Sequence, residues 1–403
     1  MDQKGIDYLR AKLAEKRRRV LTRYSFYEMK NAVRDFQIST PPNLSWVKGS
    51  LGWCAKSVDS LADRLSFNGF HEDVANLEEI FQMNNPDVMF DAAILSALIS
   101  SCSFVYCSAG EDGFPRLQVI GGANATGIMD EITGMLKEGY AVLDRDEHGQ
   151  PKLEAHFLPG NTTYYKNGLK LYDINTNVPY PCLVPIVHSP DDNRPFGHSR
   201  ITRACMSLQE SALRTIKRSE ISAEFYSYPQ KYITGVAQDS ELMESWKATM
   251  SAMMIFEKDD DGDHPVVGQF QTQSQTPHLE QLKLFAAMFA GETGLTVDDL
   301  GFASGNPASA DAIKASHENL RLAARKAQRS FGSGFLNVGI VAACIRDGVP
   351  YERKAFYRTT PCWNPIFEAD ASSLGGIGDA IIKIQQAYPN YITEDKLREL
   401  TGL

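Results

Sequence analysis

Asp298 and Asp299 stand side by side on a glycine-bordered stretch, with His278 before it and His317 after it. Paired carboxylates and imidazoles are the groups that hold a divalent metal for phosphoryl transfer. Here the two carboxylates are adjacent and no further acidic ligand lies near them in the chain, which argues against a metal site. A second acidic cluster, Asp259-Asp260-Asp261-Gly262-Asp263, hints at a calcium loop. Setting Gly262 at the sixth loop position puts Gly268 at the twelfth, where a bidentate Glu belongs. Asp259, Asp260, Asp261 and Asp263 are therefore expected to form an acidic turn.

Other chemistry is missing from the chain. It has no G-x-x-x-x-G-K-[ST], no H-E-x-x-H and no G-x-S-x-G. The histidines, at 71, 148, 156, 188, 198, 264, 278 and 317, are dispersed and read as surface or core residues. Seven cysteines, an odd number with no C-x-x-C, fit a reducing compartment and argue against a disulfide framework or a zinc site. No metal and no cofactor is expected.

The elements around the Asp pair are more informative than the pair itself. Thr276-Pro277 offers a hydroxyl N-cap followed by proline at the first helical position. Leu282, Phe285, Ala286 and Phe289 follow at helical spacing, and Gly291 and Gly294 end the helix. After a loop around Phe302, Asn306-Pro307 repeats the start signal, and the pattern runs to about Phe331. On that second helix Ile313, Leu320, Ala324, Ala327 and Phe331 form an apolar stripe. Lys314, Glu318, Arg321, Arg325 and Arg329 form a mostly basic stripe opposite. The basic stripe is either a solvated helix face or a rail facing a polyanion or an acidic neighbour.

The 403 residues, 43% hydrophobic and 23% charged, permit one large or two to three medium globular domains. Near the N-terminus, basic runs are followed by no apolar core, so no signal peptide is expected. The longest apolar run, Val88 to Cys107, holds Asp91 and several serines and reads as a buried helix leading into a strand, not a membrane span.

In chain order, Gly5 to about Val33 opens with a basic amphipathic helix, with Ile6, Leu9, Leu13, Val20 and Leu21 on its apolar side. Such helices bind membranes or nucleic acid, or pack at the periphery of a larger body or a neighbouring subunit. Val47 to Phe70 reads as short strands and turns around Trp53 and Leu65. Val74–Phe81 and Asp87–Ser101 read as helices and Ser103–Cys107 as a strand. Hairpin signals follow to Val187, with turns at 109–113, 145–149 and 167–168. Ser199 is expected to cap a helix running to about Tyr226. Lys231–Gly235, Met253–Phe256 and Val266–Phe270 read as strands and Ser240–Met250 as a short helix. Gly332-Ser333-Gly334 is expected to be a hinge or helix end, Leu336–Ile345 a separate helix, and Lys354–Thr359 a strand. Helices are expected again beyond Ser372.

Several of these segments resemble, in order and spacing, the portal proteins of tailed bacteriophages, of the siphophage type. They are Arg194-Pro195-Phe196-Gly197-His198-Ser199-Arg200-Ile201, Ala223-Glu224-Phe225, Tyr228-Pro229-Gln230, and Gly305-Asn306-Pro307-Ala308-Ser309-Ala310. The resemblance runs from about Glu28 to about Trp363. It implies an α+β portal fold: a mixed α/β wing, a two-helix stem, a small α/β clip, a long inner helix and a short helical crown.

Mapped onto this chain, residues 1–198 would be the N-terminal part of the wing and 199–227 the first stem helix. Residues 228–275 would be the clip, with Asp259, Asp260, Asp261 and Asp263 as a docking surface on it, 276–293 the second stem helix and 294–306 the tunnel loop. Residues 307–365 would be the long helix with the C-terminal part of the wing, and 366–403 the crown. The tunnel-loop residues facing DNA would be Thr296, Asp298, Asp299, Phe302, Ser304 and Asn306, with Lys314, Arg321, Arg325 and Arg329 as the basic rail.

The resemblance further implies a homo-oligomeric ring, usually of twelve subunits, at one capsid vertex of the virion, assembled in the bacterial host cytoplasm. Its channel would pass double-stranded DNA during packaging and ejection. Its partners would be the major capsid protein, the terminase large subunit, a head–tail adaptor and a scaffold protein, with no membrane. It would be no enzyme. A net charge of -9 fits a channel that lets DNA slide with few fixed phosphate contacts. The alternatives are another capsid or tail ring component, or a metal-dependent phosphoryl-transfer enzyme built on Asp298, Asp299, His278 and His317.

Overall fold

The computed structural model describes residues 3–33, 44, 46–227, 231–234, 266–269, 274–302, 310–367, 371–389, 391, 392 and 397. The chain divides into two compact units. One comprises Met1–Ala32, Leu51–Gln209 and Ala286–Leu403; the other comprises Val33–Ser50 and Glu210–Phe285.

The first unit begins with α1 (Ile6–Tyr27). Leu9, Leu13, Val20 and Phe26 are buried, while Leu21 stays exposed, so the helix docks by one apolar edge. Its start is held from outside. The Glu138 carboxylate accepts the backbone N–H groups of Lys4 and Gly5, each at 3.0 Å, and so satisfies donors that a helix N-terminus leaves open. Arg10 adds a two-pronged pair to Glu154, at 3.0 and 2.9 Å.

The expected strands between Val47 and Phe70 give way to α2 (Trp53–Ala62) and then β1 (Phe67–His71). Trp53, Cys54, Val58 and Leu61 fall on one helical face and are buried, and that burial outweighs the modest helix propensity of Trp53, Ser57 and Val58. α3 (Leu77–Gln82) and α4 (Pro86–Ser100) follow, the latter with proline in its first turn. Ser101, at φ +86°, turns the chain out of α4 into β2 (Cys102–Ala109). The apolar run is thus the expected helix leading into a strand.

β2 is the middle of a three-stranded antiparallel sheet, between β3 (Pro115–Ile120) and β9 (Leu183–Val187). Phe104 lies opposite Ile120 on one side and Pro185 on the other. A second sheet is an antiparallel meander of β4 (Ala125–Met129), β5 (Leu136–Arg145), β6 (Pro151–Leu158), β7 (Asn161–Lys166) and β8 (Leu169–Asn175), in that order. The turns at 109–113, 145–149 and 167–168 all join paired strands.

The helix beginning at Thr202 is α5 (Arg203–Ser227). Ser199 does not cap it. The Ser199 hydroxyl donates to the Ile99 carbonyl at 2.6 Å and receives the Ile201 N–H, and Thr202 Oγ1 receives the Cys205 N–H instead. The segment after α5 includes β10 (Lys231–Thr234) and β11 (Val266–Gln269), and α6 (Thr276–Thr293), α7 (Ala310–Ser316) and α8 (Glu318–Asp347) follow.

The long helix differs from expectation at both ends. It breaks at His317, which leaves Ile313 about half exposed and starts the buried stripe at Leu320. It does not stop at Gly332-Ser333-Gly334 but runs on to Asp347. The glycines there permit contact, not bending. A Cβ on Gly332 would lie 2.7 Å from Pro361, and one on Gly334 would lie 2.9 Å from Ile186. α8 is therefore drawn tightly onto β9 and β12 (Thr360–Trp363) and forms the core with α4 and β2. The strand expected at 354–359 lies later: Arg353–Phe356 is a 3-10 turn, and it is β12 that pairs with β1. α9 (Ala371–Ala387) supplies a helix of the C-terminal tail.

In the second unit, the later part of α5 and the earlier part of α6 touch through polar side chains. Thr215 Oγ1 donates to Gln281 at 3.1 Å and Ser219 Oγ to Gln275 at 3.3 Å. β10 pairs antiparallel with β11, from Lys231 opposite Gln269 to Thr234 opposite Val266. The expected helix at 240–250, the strand at 253–256 and the acidic turn Asp259–Asp263 lie outside the described residues.

Candidate functional site

The residues singled out around Asp298 are held by the end of α6 and the start of α8. Arg200, from the loop before α5, is the organising group. Its guanidinium donates to the Ser57 carbonyl at 3.2 Å and to the Thr293 carbonyl, tying α2 to the last turn of α6. Burial pushes the guanidinium pKa below its ordinary value, and Cys205 and Glu292 offset that only in part. Thr202 reaches Glu292 on the same turn at 2.9 Å, and Trp53 stacks 5.6 Å from Phe289. In sequence an arginine beside a helix reads as solvated, and only its place in the segment 194–201 marks Arg200 out.

α6 ends at Gly294, at φ +68°, a left-handed conformation that favours glycine, packed against Asn319. The chain then turns tightly. Thr296 and Asp299 form a reciprocal cap: the Thr296 N–H and hydroxyl donate to the Asp299 carboxylate, each at 2.8 Å, and Thr296 Oγ1 accepts the Asp299 N–H at 3.1 Å. His317 Nε2 closes the other side, 3.2 Å from Asp299, with Phe367 edge-on to its ring. Burial alone would raise the Asp299 pKa, but the Thr296 donors and His317 hold it below the ordinary carboxylate value. Leu295 and Leu300 are buried beneath the turn. This first half of the loop is therefore a built turn. Asp298 is exposed, Phe302 is half-buried, and Ser304 and Asn306 lie outside the described residues.

Of the four residues considered for metal chemistry, the structure brings Asp299 and His317 together; His278 belongs to the other unit. Among the described residues no three His, Cys, Asp or Glu side chains assemble as a metal-ligand set. Along α8, Arg325 and Arg329 are exposed on the face opposite the core, while Arg321 is engaged with Glu318 at 2.7 Å, one turn earlier. The side chain of Lys314 is outside the described set. Among the described residues no helix is long and apolar enough to cross a membrane.

Comparison with known proteins decides the family. The profile described as "Phage portal protein, SPP1 Gp6-like" matches residues 6–351. The chain belongs to the SPP1 Gp6-like phage portal protein family. This portal chain is 24% identical over 395 residues to the portal protein of Mycobacterium phage L5, covering 90% of itself and 80% of that relative. It is 23% identical over 334 residues to the portal protein of Mycobacterium phage D29, covering 77% of itself and 68% of that relative. Among solved structures it is similar to a chain of the virion of a native gene transfer agent particle, at TM-score 0.45 and 14% identity, covering 95% of this chain and 99% of that one. It is likewise similar to a chain of the neck of the native particle computed with C12 symmetry, at TM-score 0.47, 14% identity and the same coverage. The family to which this portal chain belongs is a structural one.

Proposed function

We propose that copies of this chain close into a ring of about twelve subunits at one vertex of a phage capsid, through a cyclic, heterologous interface. The ring is the conduit for double-stranded DNA in packaging and ejection, and it is part of the virion. The observation that carries this reading is the portal-family match from residue 6 to residue 351. The chain performs no chemistry in this scheme; a terminase drives the DNA, and the ring supplies an aperture and a docking face.

In this reading α5 and α6 are the stem, and the segment 228–275 between them, closed by the β10–β11 ladder, is the clip where the terminase large subunit and the head–tail adaptor dock. Residues 294–306 are the tunnel loop, carrying Thr296, Asp298, Asp299, Phe302, Ser304 and Asn306 toward DNA. The Thr296–Asp299 cap supports this reading, because it fixes the root from which the loop projects. Arg325 and Arg329, free to reach outward from α8, form the basic rail with Lys314 and Arg321. The two sheets and α4 are the wing that meets the major capsid and scaffold proteins, and α9 belongs to the crown.

Native mass measurement followed by negative-stain imaging tests the scheme. A ring with an axial hole is expected. A monomer or dimer that also fails to enter rings when coexpressed with its capsid and scaffold proteins would overturn it.

A further inference from the structure

The inner face of α1 lines a groove of about 600 Å³ that neither the ring nor its channel accounts for. Lys12, Lys16, Arg19 and Arg23 recur on it at helical steps of four, three and four, and Arg194 faces them from the loop before α5. Against these five cations stand only Glu15 and Glu131, in a chain whose net charge is -9. Glu15 is already taken by Arg19 at 3.0 Å, and this is the only ion pair on the groove wall among the described residues.

The deeper cations are bound to neutral acceptors. Lys12 Nζ donates to the Gly127 carbonyl at 2.7 Å, Lys16 Nζ to the Ala125 carbonyl at 3.0 Å, and Arg23 to the Ser100 carbonyl at 3.1 Å. Lys12 and Lys16 also lie over the ring of Phe196, at 5.1 and 5.7 Å. Burial first, then Lys16 and Lys4, push the Lys12 ammonium pKa down; burial first, then Arg19, does the same to Arg23. Positive charge is thus gathered in excess, and at Lys12, Lys16 and Arg23 it is half-buried without a paired carboxylate among the described residues, an arrangement that an anion relieves.

We propose that this groove is a docking site for an extended acidic polypeptide segment of a partner protein. Its size and depth choose a peptide over a duplex. The stripe from Lys12 to Arg23 spans roughly 16 Å of helix, the length of about five extended residues. Cations four residues apart repeat about every 6 Å, close to the roughly 6.6 Å between alternate side chains on a strand. Lys12 and Lys16 sit recessed beside Phe196, where a carboxylate side chain reaches and the rigid backbone of a duplex does not. Val20, Met129 and Phe196 give the groove apolar floor, so acidic residues alternating with apolar ones fit it best.

The test uses the full chain and a short fluorescein-labelled peptide of alternating Glu and Val, followed by fluorescence anisotropy. Arg19→Glu and Arg194→Glu change exposed side chains that line the groove, whereas Arg18→Glu makes the same charge change one residue away, outside it. Binding to the parent chain is expected, weakened at least tenfold in Arg19→Glu and in Arg194→Glu and less than twofold in Arg18→Glu. Circular dichroism of the variants should match the parent. Equal losses in all three, no binding by the parent, or tighter binding of a double-stranded oligonucleotide through the same two arginines would overturn the proposal.

Discussion

The Glu138 carboxylate lies 3.0 Å from the backbone nitrogen of Gly5, more than a hundred positions earlier in the chain. A strand in the meander thereby caps a helix with which it shares no local sequence. The same carboxylate also meets His156 Nε2 at 2.8 Å, so removing it leaves the buried His156 ring and two part-buried backbone N–H groups without this partner. Glu138→Ala is expected to cost roughly 1–3 kcal/mol. The loss should show first as faster hydrogen exchange in α1, before global unfolding. Unchanged protection of residues 6–27 would show that α1 is held by its apolar edge alone.

The glycines of α8 give a prediction that runs against helix propensity. Alanine in a helix interior should gain about 1 kcal/mol over glycine. At Gly332 the added Cβ meets the rigid ring of Pro361 at 2.7 Å, so Gly332→Ala should instead lose about 1–3 kcal/mol. At Gly334 the nearest atom is the mobile tip of Ile186, so Gly334→Ala should lose less than Gly332→Ala does. Chemical denaturation of the two variants checks the order; a more stable Gly332→Ala would mean that α8 and β12 are not in close contact.

His188 carries the pH dependence. Its Nδ1–H donates to the His198 carbonyl at 2.6 Å and its ring lies 6.0 Å from Phe331. Burial pushes its pKa from 6.5 down to about 4, with Arg200, Lys326 and His198 adding repulsion of the charged form. The unfolded chain therefore takes up a proton that the folded chain refuses between about pH 6.5 and 4. The stabilisation is complete above pH 6.5 and is lost as pH falls through that window, by up to about 3 kcal/mol at roughly 1.4 kcal/mol per unit. His188→Gln keeps a donor for the carbonyl and should remove this part of the slope. A variant as acid-sensitive as the parent would assign the effect to other groups.

On the outer face of α8, Arg325→Glu with Arg329→Glu changes exposed side chains and should leave folding stability within about 0.5 kcal/mol. If they face the channel, rings form and DNA passage falls; if they face a neighbour, ring assembly itself fails. Packaging assays and ring counts by microscopy separate the two, and normal behaviour in both would make the stripe a solvated face.

Asp299→Asn weakens the cap on Thr296 and the contact with His317 while leaving buried Leu295 and Leu300 in place. Rings and procapsids are expected to form, with DNA packaging or retention reduced. Normal packaging by this variant would separate the 294–306 loop from DNA handling.

Much of the fold was legible in the sequence because hydrophobic period carries it. Leu320, Ala324, Ala327 and Phe331 announced the buried stripe of α8, and the turns at 109–113, 145–149 and 167–168 announced the hairpins. What escaped depended on partners distant in the chain. Trp53 and Val58 look like strand residues until the core that buries them is known. Glycine at 332 and 334 marks a missing side chain, and the sequence does not say whether the space serves a bend or a neighbour's approach. The candidate site was legible in its outline, from Thr276-Pro277 to the loop after α6. Its fastening by Arg200 was not, since that side chain comes from the loop before α5, and in sequence His317 groups with Asp299 as a candidate metal ligand and not as a clasp.

The pairing of Thr234 with Val266 has a consequence for the stretch it closes. A two-stranded ladder holds the ends of the 235–265 stretch at a fixed spacing, whatever lies between them. Closing a longer loop over the same posts costs only about 0.6 kcal/mol for each doubling of its length. The length of that stretch is therefore nearly neutral for the stability of the ladder, and an epitope or a foreign domain grafted between Thr234 and Val266 should be carried with β10 and β11 still paired.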